Sequence, residues 1–159
     1  MYYGALEAGG TKMVCAIGDA DKNIIDRISI PTGTPDQSVP AMIDYFKKYD
    51  ISALGIGTFG PADINPNSPT YGSIMRSPKK AWEGFSLYKA FTDALGCLVV
   101  VDTDVNAAAW GEYLYGALKG LNSGMYLTVG TGIGGGIISD GRLIHGMEHP
   151  ETGHILIPR

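Results

Sequence analysis

Cysteine is nearly absent from this chain of 159 residues: Cys15 and Cys97 are the only two, each set among apolar neighbours. A disulfide framework needs more of them, and a zinc centre needs them closely spaced. The expectation is two buried, reduced thiols in a cytoplasmic protein. Positive charge is also short, with 12 Lys and Arg against 16 Asp and Glu, a net charge of −4 and a pI of about 5.2. A nucleic-acid partner is therefore disfavoured, because phosphate contacts want clustered cations. No apolar run approaches the ~18 residues of a membrane helix. Residues 1–7 lack a basic stretch followed by an apolar one, so no signal peptide is expected. What remains is 45% hydrophobic and 18% charged, enough to bury a core. Glycine is plentiful: 23 residues, about twice the usual ~7%. The backbone must turn tightly or approach something closely in several places.

Short apolar strands are predicted at residues 2–6, 13–17 and 23–30. A helix follows over 38–49, where Val39, Met42, Ile43 and Phe46 hold helical spacing, and a buried strand over 51–58. Residues 59–84 carry Pro61, Pro66, Pro69 and Pro78 with little periodicity, and so read as a long functional loop. A helix over 85–95 stopped by Gly96, a strand over 97–101 and an alanine-rich helix over 105–115 complete an α/β pattern. Residues 116–122 read as a linker. Beyond it the opening of the chain repeats about 120 residues later: strand 125–129, a glycine turn at 130–136, strand 137–139, an Asp140-Gly141 turn and strand 142–144. Such self-similarity marks duplicated architecture. The repeat stops early, which reads as the N-terminal part of something about twice as long.

Two glycine turns bear on chemistry. Gly130-Thr131-Gly132-Ile133-Gly134-Gly135 satisfies G-x-G-x-x-G, but a dinucleotide site requires a helix to follow, and a strand is predicted here. A Walker A loop is absent. Each turn can still present backbone N–H groups and a threonine hydroxyl to phosphate, with Lys12 adding a point charge beside the first; simple hairpin chemistry is the plainer reading of either alone. Asp104 sits where a buried strand becomes a helix. The helix N-terminus there favours an ionised carboxylate, which could accept a proton from a substrate hydroxyl; a plain N-cap is the alternative. Asp102 and Asn106 flank it as polar support. Glu151 and His154 would share a face if their segment is helical, suited to a sugar hydroxyl or a metal. His145 and His149 read as polar loop residues, Trp82 and Trp110 as packing residues.

Four segments occur in order: Glu7-Ala8-Gly9-Gly10-Thr11-Lys12, Asp102-Thr103-Asp104-Val105-Asn106-Ala107-Ala108, Gly130-Thr131-Gly132-Ile133-Gly134-Gly135-Gly136 and His149-Pro150-Glu151-Thr152-Gly153-His154. Together they resemble the ROK (repressor, open reading frame, kinase) family of sugar kinases over the whole chain. Residues 57–66 and 68–72 look like the bacterial fructokinases. The resemblance implies an actin-like (ribonuclease H-like) α/β fold, with residues 1–117 as a first domain and 118–159 as the opening strands of a second. It implies ATP and magnesium as cofactors and a sugar as substrate. By position in the family's motifs, Asp104 would be the catalytic base. Glu7, Gly9, Gly10, Thr11 and Lys12 would form one phosphate loop, and Thr131 with Gly132 another. Gly60, Pro61, Glu151 and His154 would line the sugar pocket. His154 would also be one ligand of a structural zinc whose three cysteines are not in this chain, and the complete protein would be a homodimer.

Two positions depart from the family pattern. Glu7 stands where aspartate is usual. Thr103 stands where many members have a sugar-holding asparagine, which leaves that role to the threonine hydroxyl or vacant. The reaction expected is transfer of the ATP γ-phosphoryl group to the 6-hydroxyl of fructose. Other ROK hexose kinases, a sugar-sensing DNA-binding repressor and a non-catalytic sugar-binding module are the rivals.

Overall fold

A computed structural model describes residues 1–130, 132–146 and 151–156. The chain opens with a meander, β1 (Tyr2–Ala8), β2 (Lys12–Asp19) and β3 (Ile24–Pro31), in which both pairs run antiparallel. Helix α1 (Pro35–Phe46) starts on Pro35, where a missing N–H costs nothing, and the Gln37 side chain accepts from the Thr34 N–H at 3.1 Å. It leads to β4 (Ile51–Thr58), then α2 (Leu87–Leu95), closed by Gly96 at φ 64°, and β5 (Leu98–Thr103). β4 runs parallel to β1, and β5 parallel to β4, giving one five-stranded sheet in the order β3-β2-β1-β4-β5.

Alternation sets the two faces of this sheet. Leu6, Ile56 and Val101 lie side by side in register and are buried, and so are Leu54 and Val99. They pack under Val39, Met42 and Phe46 of α1 and Phe91 of α2 in one apolar core. The residues between them, Ala5, Gly55 and Val100, face the other side.

Residues 59–84 are more ordered than their composition predicts. Antiparallel bridges join Ala62 to Ile74 and Ser73 to Ser86, and a 3-10 turn spans Lys80–Trp82. Ala62, Ile64, Ile74 and Trp82 are buried, with Trp82 Nε1 donating to the Gly33 carbonyl at 2.9 Å. Buried apolar side chains hold this excursion in place, a signal that proline-rich sequence conceals.

Helix α3 (Asp104–Tyr115) begins directly at the end of β5, with Thr103 as N-cap. A second antiparallel meander follows: β6 (Gly124–Val129), β7 (Ile133–Ser139) and β8 (Arg142–Leu143). Its glycines correct the expected turn at 130–136. Only the start of that run turns; Gly134, Gly135 and Gly136 lie inside β7. A Cβ on Gly136 would collide with the Val105 carbonyl oxygen and come within 2.8 Å of the Ala109 Cβ. Gly134 and Gly136 serve the contact with α3 rather than a bend, while Gly135, on the opposite face of β7, leaves room for Thr152 and Leu127. Cysteine needs a correction as well: Cys15 is buried, its thiol pushed up to about 12 by burial, but Cys97 is only half-buried. No described helix is long and apolar enough to cross a membrane.

Candidate active site

The parallel register brings the separated segments together. Glu7, Gly57 and Asp102 form one row across β1, β4 and β5, and Ala8, Thr58 and Thr103 form the next. The turn after β1, the Gly60-Pro61 turn after β4 and Asp104 after β5 therefore all leave the same edge, the C-terminal ends of parallel strands where open α/β sheets take ligands.

Beside that edge lies a cleft of about 760 Å³, within the range of small-molecule sites. Its floor is the face of the sheet away from α1 and α2, including Ala5, Glu7, Gly55, Gly57 and Val100. Asp104, Val105, Ala108 and Trp110 come from α3, and Tyr126, Thr128 and Leu143 from the second meander. Helix α3 can sit this close because position 57 has no side chain: a Cβ there would be 2.9 Å from the Ala107 Cβ and 3.3 Å from the Asp104 Cα. Three carboxylates, Glu7, Asp102 and Asp104, line the cleft and no lysine or arginine among the described residues does.

Asp104 Oδ1 accepts from the Val105 N–H at 2.8 Å. Burial raises its pKa above the usual aspartate value, the Val105 N–H opposes that, and the nearby Glu7 charge reinforces it. The helix N-terminus by itself predicts a readily ionised group; burial outweighs it. Thr103 is 3% exposed, and its Oγ1 accepts from the Asn106 N–H at 3.2 Å, so its hydroxyl oxygen is engaged in capping.

The remaining candidates lie around this centre. Gly9 donates its N–H to the Lys12 carbonyl at 3.0 Å and closes the β1–β2 turn, while Gly10, Thr11 and Lys12 are exposed. Gly130 donates to the Gly132 carbonyl at 2.9 Å in the β6–β7 turn; Thr131 lies outside the described residues, as do His149 and Pro150. Gly60-Pro61 is a cis peptide, with the Pro61 carbonyl accepting from the Met75 N–H at 2.8 Å. Glu151 and His154 do pair, Oε2 to Nδ1 at 3.1 Å, although their segment is a single 3-10 turn. Thr152 Oγ1 donates to the Gly135 carbonyl at 3.3 Å and seats that turn on β7. None of the described residues among these lines the cleft that holds Glu7 and Asp104. Sequence reasoning missed His145 as a site residue: its Nε2 lies 2.7 Å from Asp102 Oδ2. Forty-three positions separate the two, and no local spacing announces the contact.

The sequence profile described as "ROK family" matches residues 3–159. The chain belongs to the ROK family. It is 46% identical over 159 residues to a fructokinase of Lactococcus lactis subsp. cremoris, covering 100% of this chain and 54% of that one. A fructokinase of Pediococcus pentosaceus is 43% identical over 159 residues, with 100% and 55% covered. Among solved structures, a ROK family glucokinase from Streptomyces griseus, in complex with glucose and AMPPNP, superposes with a TM-score of 0.83 at 31% identity, covering 99% of this chain and 51% of that one. The fold is thus that of the ROK sugar kinases, the actin-like α/β fold. The chain spans about half the length of the curated relatives it matches.

Proposed function

We propose that the protein containing this chain is an ATP-dependent fructokinase that phosphorylates the 6-hydroxyl of fructose. The observation carrying this reading is Asp104, partly buried at the mouth of the parallel strands and raised in pKa, within reach of the Glu7 charge. The fructokinase relatives above supply the choice of sugar.

A general base works best with a pKa drawn towards the operating pH. Asp104 would accept the proton of the attacking hydroxyl, while its short bond from the Val105 N–H keeps the carboxylate aimed. Positioning and charge neutralisation account for most of the acceleration in phosphoryl transfer. Glu7 and Asp104 are hard oxygen donors in a cleft without a described lysine or arginine, and so fit a divalent cation carried by a polyphosphate. When bound, that nucleotide and cation supply the transferable phosphoryl group and neutralise its charge. The exposed turn at Gly9–Lys12 would face the phosphates, as would the β6–β7 turn with Thr131 and Gly132; Gly60, Pro61, Glu151 and His154 would serve the sugar, whereas Thr103, buried and capping α3, would not. Among the described residues no group of three His, Cys, Asp or Glu side chains is placed to hold a metal, and a zinc site using His154 would take its other ligands from outside this chain.

The test is ADP release from ATP by the full-length protein with fructose, mannose, glucose and N-acetylmannosamine offered in turn. Strong preference for fructose is expected. Preference for glucose, the sugar bound in the Streptomyces griseus structure, would keep Asp104 and the cleft while replacing the substrate. Release without any sugar would remove the kinase reading.

A further inference from the structure

Both oxygens of Asp102 are engaged. Oδ1 accepts from the Thr103 N–H and from Asn106 Nδ2, each at 2.7 Å, and Oδ2 meets His145 Nε2 at 2.7 Å. The Asp102–Asn106 bond spans four residues and straps the first turn of α3, on which Asp104 lies between them. Asn106 is fully buried, and its Oδ1 has no hydrogen-bond partner among the described residues. Leaving a buried carbonyl unpaired is costly. Turning the amide over would instead set that oxygen against the Asp102 carboxylate, so Asp102 determines which way Asn106 points. The remaining oxygen of Asp102 is held from outside the strap, by a residue that follows β8 in the second meander.

We propose that His145 is a positioning residue for the reaction assigned to Asp104: it fixes Asp102, and through the Asp102–Asn106 strap it fixes the turn that aims the Asp104 carboxylate. This rests on the reading of Asp104 as base. The same bond ties the catalytic corner to the second meander, so the base is aligned only while the two parts of the cleft are in place. His145 is 44% exposed and Asp102 22%. A pair so accessible to water adds little to stability, which separates a positioning role from a merely structural one.

The test compares His145→Ala and His145→Gln in the full-length protein. The alanine variant is expected to lower kcat about ten- to hundredfold, with KM for sugar and ATP within about twofold and an unchanged melting temperature. Amide exchange at Thr103, Val105 and Asn106 should quicken while β1 to β4 stay protected. Glutamine, whose amide N–H can still donate to Asp102, should restore both readouts. An unchanged kcat in the alanine variant overturns the proposal whatever exchange does. So does a general loss of KM, melting temperature and protection that glutamine fails to restore. If the unmodified protein phosphorylates no sugar, the kinase reading falls on its own, and the exchange comparison alone decides whether His145 holds the strap.

Discussion

At the scale of single residues, Asp104 concentrates the conflict between stability and function. A carboxyl whose folded pKa is raised favours the folded state below its unfolded pKa, and that contribution is lost as pH rises through the folded value. At neutral pH the ionised Asp104 is thus a burden on the fold. Asp104→Asn should unfold at an equal or higher temperature than the parent at about pH 7, with the difference shrinking as pH falls below the ordinary carboxylate range. Calorimetric melts across pH measure this, and an asparagine variant whose stability relative to the parent is lower at neutral pH than in acid would count against the assignment. The same variant should lose about 10²–10⁴-fold in kcat while sugar affinity, read by calorimetry, moves only a few-fold. In the parent, the acid limb of kcat/KM should fall above the ~3.9 of a free aspartate; a limb at or below that value would show that another group titrates. Asp104 was legible in sequence because an apolar strand running into an alanine-rich helix marks its place. The direction of its pKa was not, since burial depends on β1, β4 and the second meander packing around it. His145 was illegible for a related reason: its partner is adjacent in space and remote in sequence.

Elements were legible wherever period and punctuation agreed. The strands of both meanders and the helix ended by Gly96 follow from alternation and a left-handed cap. The glycine run in β7 misled because three consecutive glycines announce a turn when read locally. Here Gly134 and Gly136 answer a demand made by α3, whose backbone lies against that strand, and Gly135 answers one made by Thr152 on the opposite face. The proline-rich stretch at 59–84 misled in the opposite way, since its order comes from Trp82 and Ile74 reaching the core. Two glycine substitutions with opposite expected signs test this account. Gly136→Ala must push α3 off β7, because the obstacle is the Val105 backbone rather than a flexible side chain. It should destabilise by about 1–3 kcal/mol, as overpacking does. Gly111 lies within α3 with open space where a methyl would go, so Gly111→Ala should stabilise by about 0.5–1 kcal/mol through helix propensity alone. Urea unfolding of the two variants reads both signs; a neutral Gly136→Ala would mean that helix and strand do not meet as closely as described.

At the scale of the whole 159-residue chain, the sheet face away from α1 and α2, which α3 covers only in part, is the feature that most affects behaviour in solution. Parallel strands are ordinarily covered on both sides, and α1 and α2 cover only one side of β1, β4 and β5. On the other, Leu98 is 66% and Val100 52% exposed, with Val100 in the floor of the cleft. Apolar patches of this kind promote association. An edge strand is the second route to association, and β5 is an edge. That edge is blunted at Val101, whose carbonyl accepts from the Tyr71 hydroxyl at 2.9 Å and whose N–H donates to it at 2.8 Å. The opposite edge, β3, carries Asp26 and Arg27 and ends on Pro31, features that discourage strand pairing. The face therefore outweighs the edges. Prepared as residues 1–159, the chain should self-associate in sedimentation equilibrium, and Leu98→Thr with Val100→Thr should shift it towards monomer with little loss of melting temperature, because both side chains are already largely in water. Tyr71→Phe should leave association unchanged if the face is responsible. Should Tyr71→Phe strengthen association while the threonine pair has no effect, the exposed edge of β5 would be the sticky element, and the apolar floor of the cleft would be tolerated in water.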